Sequence, residues 1–310
     1  MNNHSHPLLF CGSSHPNLGQ EIQKLLNISL GSMKLAHFPD GESSIEILEP
    51  VRGRTVFALQ SIALQPNEYL MELLIIIDAL KRNSAKHIIA IIPYFGYCRQ
   101  DRKDKSGSPI TAKLVANLLT AAGATRIITL DLHAGQLEGF FEIPVDHLQC
   151  QQLLAAATQK HLSKNCVVVA PDIGSIKIAQ KLATPLNADL AVIEKERLSS
   201  HDIQMTLIGN VQGKEVVIAD DICSTASTLV LAANLCHSHG AQKVIAAVTH
   251  GICAEDAIEK IEQSSLEALL ITDTIPPLNR FTKSSKIFTL SVAPLISEEI
   301  KNLLNDYKVI

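Results

Sequence analysis

Runs such as "RTVFALQ" (54–60), "HIIAIIPY" (87–94), "RIITLDL" (126–132), "CVVVAPD" (166–172), "DLAVIEK" (189–195), "EVVIADD" (215–221) and "KVIAAVTH" (243–250) are short, rich in Val and Ile, and largely apolar. A strand with one wet face alternates apolar and polar residues. These runs do not, so each reads as a parallel strand buried on both faces. Longer stretches with helical character lie between them, at 69–83, 111–123, 175–186 and 227–240. Two of these end in Gly123 and Gly240, where a helix C-cap is expected. The alternation predicts an α/β protein with a mainly parallel sheet flanked by helices. Aromatics make up only 4% of the chain, with no Trp, against 46% apolar residues, so the core must be Ile, Leu, Val and Ala.

A faint repeat divides the 310 residues. "GRTVFALQS" (53–61) is similar to "GKEVVIADD" (213–221), and "AKHIIAIIPYFG" (85–96) to "AQKVIAAVTHGI" (241–252). An apolar helix separates the members in both cases. Two similar α/β halves follow, joined near 145–150. The expected domains are 1–147 and 148–310, with the last helix packing back on the first. Chance likeness of two strand–helix–strand units is the alternative, because such units share composition.

Charge and cysteine usage narrow the class. The net charge of −4 gives no general attraction to nucleic acid or anionic membrane, so an anionic ligand would need a local basic site. Seven Cys are scattered and never form CxxC, which argues against a disulfide framework or zinc cluster and for a reducing compartment. There is no leader-like start and no run near the ~20 apolar residues that span a membrane. A soluble cytoplasmic protein is expected.

Ligands of open α/β sheets bind beyond the carboxyl ends of the strands. At one such end, "VVIADDICSTAST" (216–228) carries two acids and then hydroxyls. A loop entering a helix N-terminus aims backbone N–H groups at an anion. The hydroxyls of Thr225 and Thr228 would add donors, and Asp220 and Asp221 suit a sugar diol. A Ser- or Thr-capped helix after a strand explains the same stretch, so both readings stay open here. "EKER" (194–197) would place Lys195 and Arg197 on one face if extended, or is a solvated charge run. "HFPDGE" (37–42) combines a stacking ring with acids, or is a turn at Pro39–Gly41. The run 99–108 is too charged to bury; it is a surface turn or a mobile loop over a polyanion.

The four apolar residues, two acids and Thr-rich loop resemble the phosphoribosyl-diphosphate motif of the phosphoribosyltransferase fold. "FCGSSHPNLGQEI", "FPDGE", "MELLIIIDAL", "IPYFGYCRQDRKDKSGSPITAKLVANLL", "TLDLHAGQLEGFFEIPVDHL", "PDIGS", "EKER", "THGI" and "DTIPPL" extend the resemblance to the ribose-phosphate pyrophosphokinase family, in the expected order over nearly the whole chain. The resemblance implies two phosphoribosyltransferase-like domains and the reaction ATP + ribose 5-phosphate → AMP + phosphoribosyl diphosphate. It implies an ATP site with Phe38, Asp40, Glu42, Arg99, Gln100 and Asp101. Asp220, Asp221, Ser224, Thr225, Ala226, Ser227 and Thr228 are the implied ribose 5-phosphate site, and Asp172, Gly174, Ser175 and Lys177 a diphosphate loop. Mg²⁺ on His133 and Asp172, catalysis by Lys195 and Arg197, and a homo-oligomer, commonly a hexamer, are also implied. His133 is unexpected on chemistry alone, since Mg²⁺ prefers oxygen ligands.

The chain departs from the family pattern at four positions. Ser224 stands where Asp is usual, Ser175 and Ser227 where Gly is common, and Ile178 where a basic residue is common. Gly permits positive φ and close phosphate approach. Ser at 175 or 227 therefore either crowds the phosphate or adds a hydroxyl. An active synthetase is the leading expectation. A catalytically weak, regulatory homologue is the second. A phosphoribosyltransferase is the third, and the "FPDGE" and "YCRQD" blocks argue against it.

Overall fold

A computed structural model of the chain describes residues 7–162, 165–197, 203–277, 281 and 284–306. Two compact units share the chain. The first comprises 1–148, 274–276 and 291–310, and the second 149–273 and 277–290.

In the first unit the elements run β1 (Leu8–Cys11), α1 (Pro16–Leu26), β2 (Ser29–Leu30), β3 (Met33–His37), β4 (Ser43–Ile47), β5 (Thr55–Leu59), α2 (Pro66–Arg82), β6 (His87–Ile92), α3 (Thr111–Ala122), β7 (Arg126–Leu130) and β8 (Val145–Leu148). A six-stranded sheet in the order β2-β1-β5-β6-β7-β8 is parallel throughout. β3 and β4 form a separate antiparallel hairpin. α2 opens on Pro66, carries Glu68 in its first turn and Lys81 and Arg82 in its last, which is the charge order a helix dipole favours. Its buried face is Glu72, Leu73, Ile76, Ile77 and Leu80. The acid in that stripe is fully partnered: Glu72 accepts from the Ser13 N–H at 2.6 Å, the Ser13 hydroxyl at 2.7 Å and the Gln60 amide at 2.7 Å. Gly12 is needed for this approach, because a Cβ there would lie 2.4 Å from Gln60 Oε1.

The second unit holds α4 (Gln151–His161), β9 (Cys166–Ala170), α5 (Ile176–Leu186), β10 (Asp189–Arg197), β11 (Ile203–Ile208), β12 (Glu215–Cys223), α6 (Ser227–Ser238), β13 (Lys243–Gly251), α7 (Ala257–Gln263), β14 (Ala268–Thr272) and β15 (Ile287–Leu290). Its seven-stranded sheet runs β11-β10-β9-β12-β13-β14-β15. The last helix, α8 (Ala293–Asp306), belongs to the first unit, where it meets α1; Ser291 beside it donates to Glu21 at 2.5 Å. The core under α6 and α7 is aliphatic, with Val216, Ile218, Val244, Val248 and Ile261 buried.

The repeat acquires a structural meaning. β5 and β6 are adjacent parallel strands joined through α2; β12 and β13 are adjacent parallel strands joined through α6. In each sheet this pair follows an inner strand, β1 or β9. Two corrections apply to the strand reading. "DLAVIEK" pairs parallel with β9 but antiparallel with β11, because a hairpin arm needs no crossover helix. "EVVIADD" does not end at its acids; the ladder with β13 continues through Ile222 and Cys223. None of the seven cysteines is in a disulfide, and burial pushes Cys11 and Cys236 up to about 12. No helix among the described residues is long and apolar enough to cross a membrane.

Candidate active site

Four neighbouring strands of the second unit, β10, β9, β12 and β13, are parallel and deliver their carboxyl ends to one edge. β10 is in register with β9 up to Val192↔Ala170, so Glu194–Arg197 project past the end of β9, on the edge from which Asp172 follows. The extended backbone that the pairing of Lys195 with Arg197 requires is present. Lys195 is partly exposed, and the Arg197 side chain is not among those described.

Ser175 ties two loops of this edge together. Its hydroxyl lies 3.0 Å from Asp172 Oδ1 and 2.9 Å from Asp220 Oδ1, and its N–H donates to Asp172 Oδ1 at 2.9 Å. One hydroxyl has one proton to give, so it serves one carboxylate. The second contact is satisfied when Asp220 itself holds a proton. Burial first, then the charge of neighbouring Asp221, raises Asp220 from 3.8 to about 7, against the opposing hydrogen bond from Ser175. Asp221 is buried, and its N–H donates to Asp220 Oδ1 at 2.9 Å. Ser175 therefore adds a bridging hydroxyl. Gly174 and Lys177 beside it are exposed.

The phosphate-loop candidate, 224–228, turns at Ala226. This residue is in the left-handed region (φ 60°, ψ −5°) and is the N-cap of α6, with no side-chain cap. The expected Ser or Thr cap is thus absent. The place where glycine freedom matters is 226, not Ser227, which is already the first residue of the helix. Ser227 Oγ lies 3.3 Å from the Thr225 hydroxyl that donates to it. A non-glycine residue at positive φ costs about 1 kcal/mol. Ala226→Gly is therefore expected to raise stability by up to about 1 kcal/mol, read as a higher unfolding midpoint; a lower midpoint would contradict the assignment of strain to this residue.

In the first unit, Phe38–Glu42 is the tip of the β3–β4 hairpin. Phe38 N–H donates to Glu42 O at 2.8 Å, Gly41 N–H to Phe38 O at 2.9 Å, and Glu42 N–H to Asp40 Oδ1 at 3.2 Å. The turn is formed, and Phe38 is 53% exposed on that tip. Arg99 and Gln100 are exposed in the loop after β6. Gln100 Oε1 accepts from Thr111 at 2.5 Å, and Asp101 Oδ2 accepts from Gln136 at 2.8 Å. The last bond joins the "YCRQD" and "DLHAGQ" segments. His133 is exposed in the second of these. His147 holds that segment in place: Nε2 accepts from Leu132 N–H at 2.8 Å, so the ring proton sits on Nδ1, which meets Glu138 Oε1 at 2.6 Å. Neither His147 nor Glu138 was singled out from sequence, where "VDHL" carries no ligand-like spacing.

The N-terminal domain of ribose phosphate pyrophosphokinase matches residues 8–123, and the phosphoribosyl synthetase-associated domain matches residues 197–309. The chain is 48% identical over 302 residues to the ribose-phosphate pyrophosphokinase of Wolinella succinogenes, covering 97% of each protein. It is 45% identical over 301 residues to that of Nitrosomonas europaea, covering 96% of this chain and 95% of that one. The chain belongs to the ribose-phosphate pyrophosphokinase family. A solved member of the family, phosphoribosylpyrophosphate synthetase from Mycobacterium smegmatis, superposes with a TM-score of 0.92 at 38% identity, covering 97% of this chain and 99% of that one. The family's two-domain α/β architecture is therefore the fold of this protein, and both units lie within the match.

Proposed function

We propose that this ribose-phosphate pyrophosphokinase family member transfers the β,γ-diphosphoryl group of Mg-ATP to the C1 hydroxyl of ribose 5-phosphate. The products are AMP and phosphoribosyl diphosphate, used in nucleotide and related biosynthesis. The observation that carries the reading is the common edge of the second unit. There an acid pair, a hydroxyl-rich helix N-terminus, a second small-residue loop and a lysine-bearing strand come from adjacent parallel strands.

The division of labour follows side-chain chemistry. Asp220 and Asp221 accept from the ribose diol, while the N–H groups and hydroxyls of 224–228 hold the 5-phosphate. Gly174, Ser175 and Lys177 face the diphosphate. Phe38 stacks on adenine, Asp40 and Glu42 accept from its exocyclic amine, and Arg99, Gln100 and Asp101 hold the rest of the nucleotide. The C1 oxygen attacks the β-phosphorus in line and AMP leaves, with Lys195 and Arg197 stabilising charge that builds on the transferred group. Asp172 fits Mg²⁺, being an oxygen donor whose carboxylate is oriented by two hydrogen bonds from Ser175. His133, an exposed residue of the first unit, is the other Mg²⁺ ligand that the resemblance implies. Mg²⁺ supplies charge neutralisation on the phosphoryl oxygens.

The ATP blocks lie on the first unit, which supports the expected domain roles and sets a simple phosphoribosyltransferase aside. Likeness to ribose-phosphate pyrophosphokinases over nearly the whole chain favours an active synthetase over a weak, regulatory homologue. A homo-oligomer, up to the hexamer of the resemblance, is part of the proposal. Exposed Ile110, Leu114 and Leu118 form one stripe at the start and along α3 that a subunit contact would cover. The enzymatic reading is tested by mixing purified protein with Mg²⁺, ATP and ribose 5-phosphate. AMP that appears only when all three are present supports it; ADP, or no nucleotide product from folded protein, opposes it.

A further inference from the structure

We infer that Lys260 is the cation of the sugar-phosphate cradle, a binding residue for the 5-phosphate of ribose 5-phosphate. The inference rests on the proposed function and adds to it a residue outside all of the sequence motifs. The cradle needs such a group. Residues 224–228 contain no basic side chain, and Asp172, Asp220 and Asp221 stand on the same loops and the one adjoining. A dianionic sugar phosphate seated near Asp172, Asp220 and Asp221, on a chain of net charge −4, gains from a local positive charge.

Lys260 provides it from α7. Its Nζ donates to Ser227 Oγ at 3.3 Å, and the same oxygen accepts from Thr225. The ammonium thus joins the hydroxyl chain at the α6 N-terminus.

The backbone fastens α7 to the cradle. Cys253 N–H donates to Cys223 O at 3.0 Å, and Ala254 N–H to Ser224 O at 2.8 Å, immediately on the strand side of the turn. Ala257, Ile258 and Ile261 bury the inner face of α7 in the core beneath α6. Two non-glycine residues of this connector, Cys253 (φ 44°) and Glu255 (φ 54°), adopt the left-handed region, as Ala226 does in the turn it braces. Strain of this kind persists only where surrounding structure over-determines it.

Asp256, one turn back, pairs with Lys260 at 2.8 Å. That pair is solvent-exposed, with 37% of the Lys260 side chain accessible, so it orients the ammonium without consuming it. The departure at 227 also finds a use here, since serine supplies the oxygen through which the cation is coupled to the loop.

The experiment uses the full-length enzyme and two readouts. Lys260→Gln, which removes the charge and keeps a polar side chain one atom shorter, should raise the KM for ribose 5-phosphate about tenfold, the loss of one charge-assisted hydrogen bond. kcat and the KM for ATP should hold, and Lys260→Arg should restore affinity. In parallel, ribose 5-phosphate should raise the unfolding temperature of wild type more than that of K260Q, while unphosphorylated ribose should not distinguish them. Wild type stabilised by ribose 5-phosphate, with K260Q stabilised equally and its KM unchanged, would overturn the role of Lys260 alone. Wild type that gains no stability from ribose 5-phosphate would overturn the cradle reading together with it.

Discussion

Lys195→Ala is expected to lower kcat by about 10³-fold, with the KM of each substrate changed only a few-fold. The group in flight spreads negative charge over its equatorial oxygens, and a cation aimed at that charge stabilises the transition state more than either bound substrate. β10 overshoots its last pair with β9 by several residues, which carries 194–197 beyond the strand end from which 171–175 follow. β11 keeps that overhang extended, with Lys195 opposite Met205. Lys195→Arg keeps the charge but changes its shape and should recover only part of the rate. A Lys195→Ala enzyme of normal stability and unchanged turnover would remove the residue from the mechanism.

Asp220→Asn is expected to stabilise the unliganded protein at alkaline pH while impairing use of ribose 5-phosphate. Folding raises the proton affinity of Asp220, from an ordinary 3.8 to about 7. Below the lower value the group is protonated in both states and carries no penalty. Between the two values the folded chain holds a proton that the unfolded chain releases, so stability falls as pH rises through this window. Above about 7 the carboxylate is ionised beside Asp221 and the penalty is complete. Asparagine is neutral throughout, so its benefit should be near zero at pH 4 and reach up to about 4 kcal/mol at pH 8. Thermal or denaturant unfolding at both pH values measures it. An equal effect at both would show that Asp220 carries no extra proton in the folded state.

The strands β5, β6, β7, β9, β10, β12 and β13 and the helices α2, α3, α5 and α6 were legible because residues buried on both faces leave a continuous apolar signature; the parallel strands β1, β2, β8, β14 and β15 were not singled out. β3, β4 and β11 were not, since antiparallel arms at the periphery are half polar and set by pairing partners rather than by their own pattern. The end of β12 was misplaced for a related reason. Acids normally terminate a buried strand, but here Asp220 and Asp221 are held by Ser175 and the local backbone, and the ladder passes beyond them. The glycine-free loop at 224–228 was legible as an anomaly but not as a geometry: φ values are invisible in a sequence, and the residue at positive φ is Ala226. Lys260 was hidden altogether, because the contact that gives it meaning spans 33 residues and forms only when α7 docks beside α6.

Transfer of an intact diphosphoryl group can be followed directly by phosphorus NMR of a reaction with Mg²⁺, ATP and ribose 5-phosphate. AMP and a C1-linked diphosphate of ribose 5-phosphate should appear in equal amounts as ATP declines, with no ADP. Accumulation of ADP, or an unchanged spectrum from folded protein at saturating substrates, would contradict it.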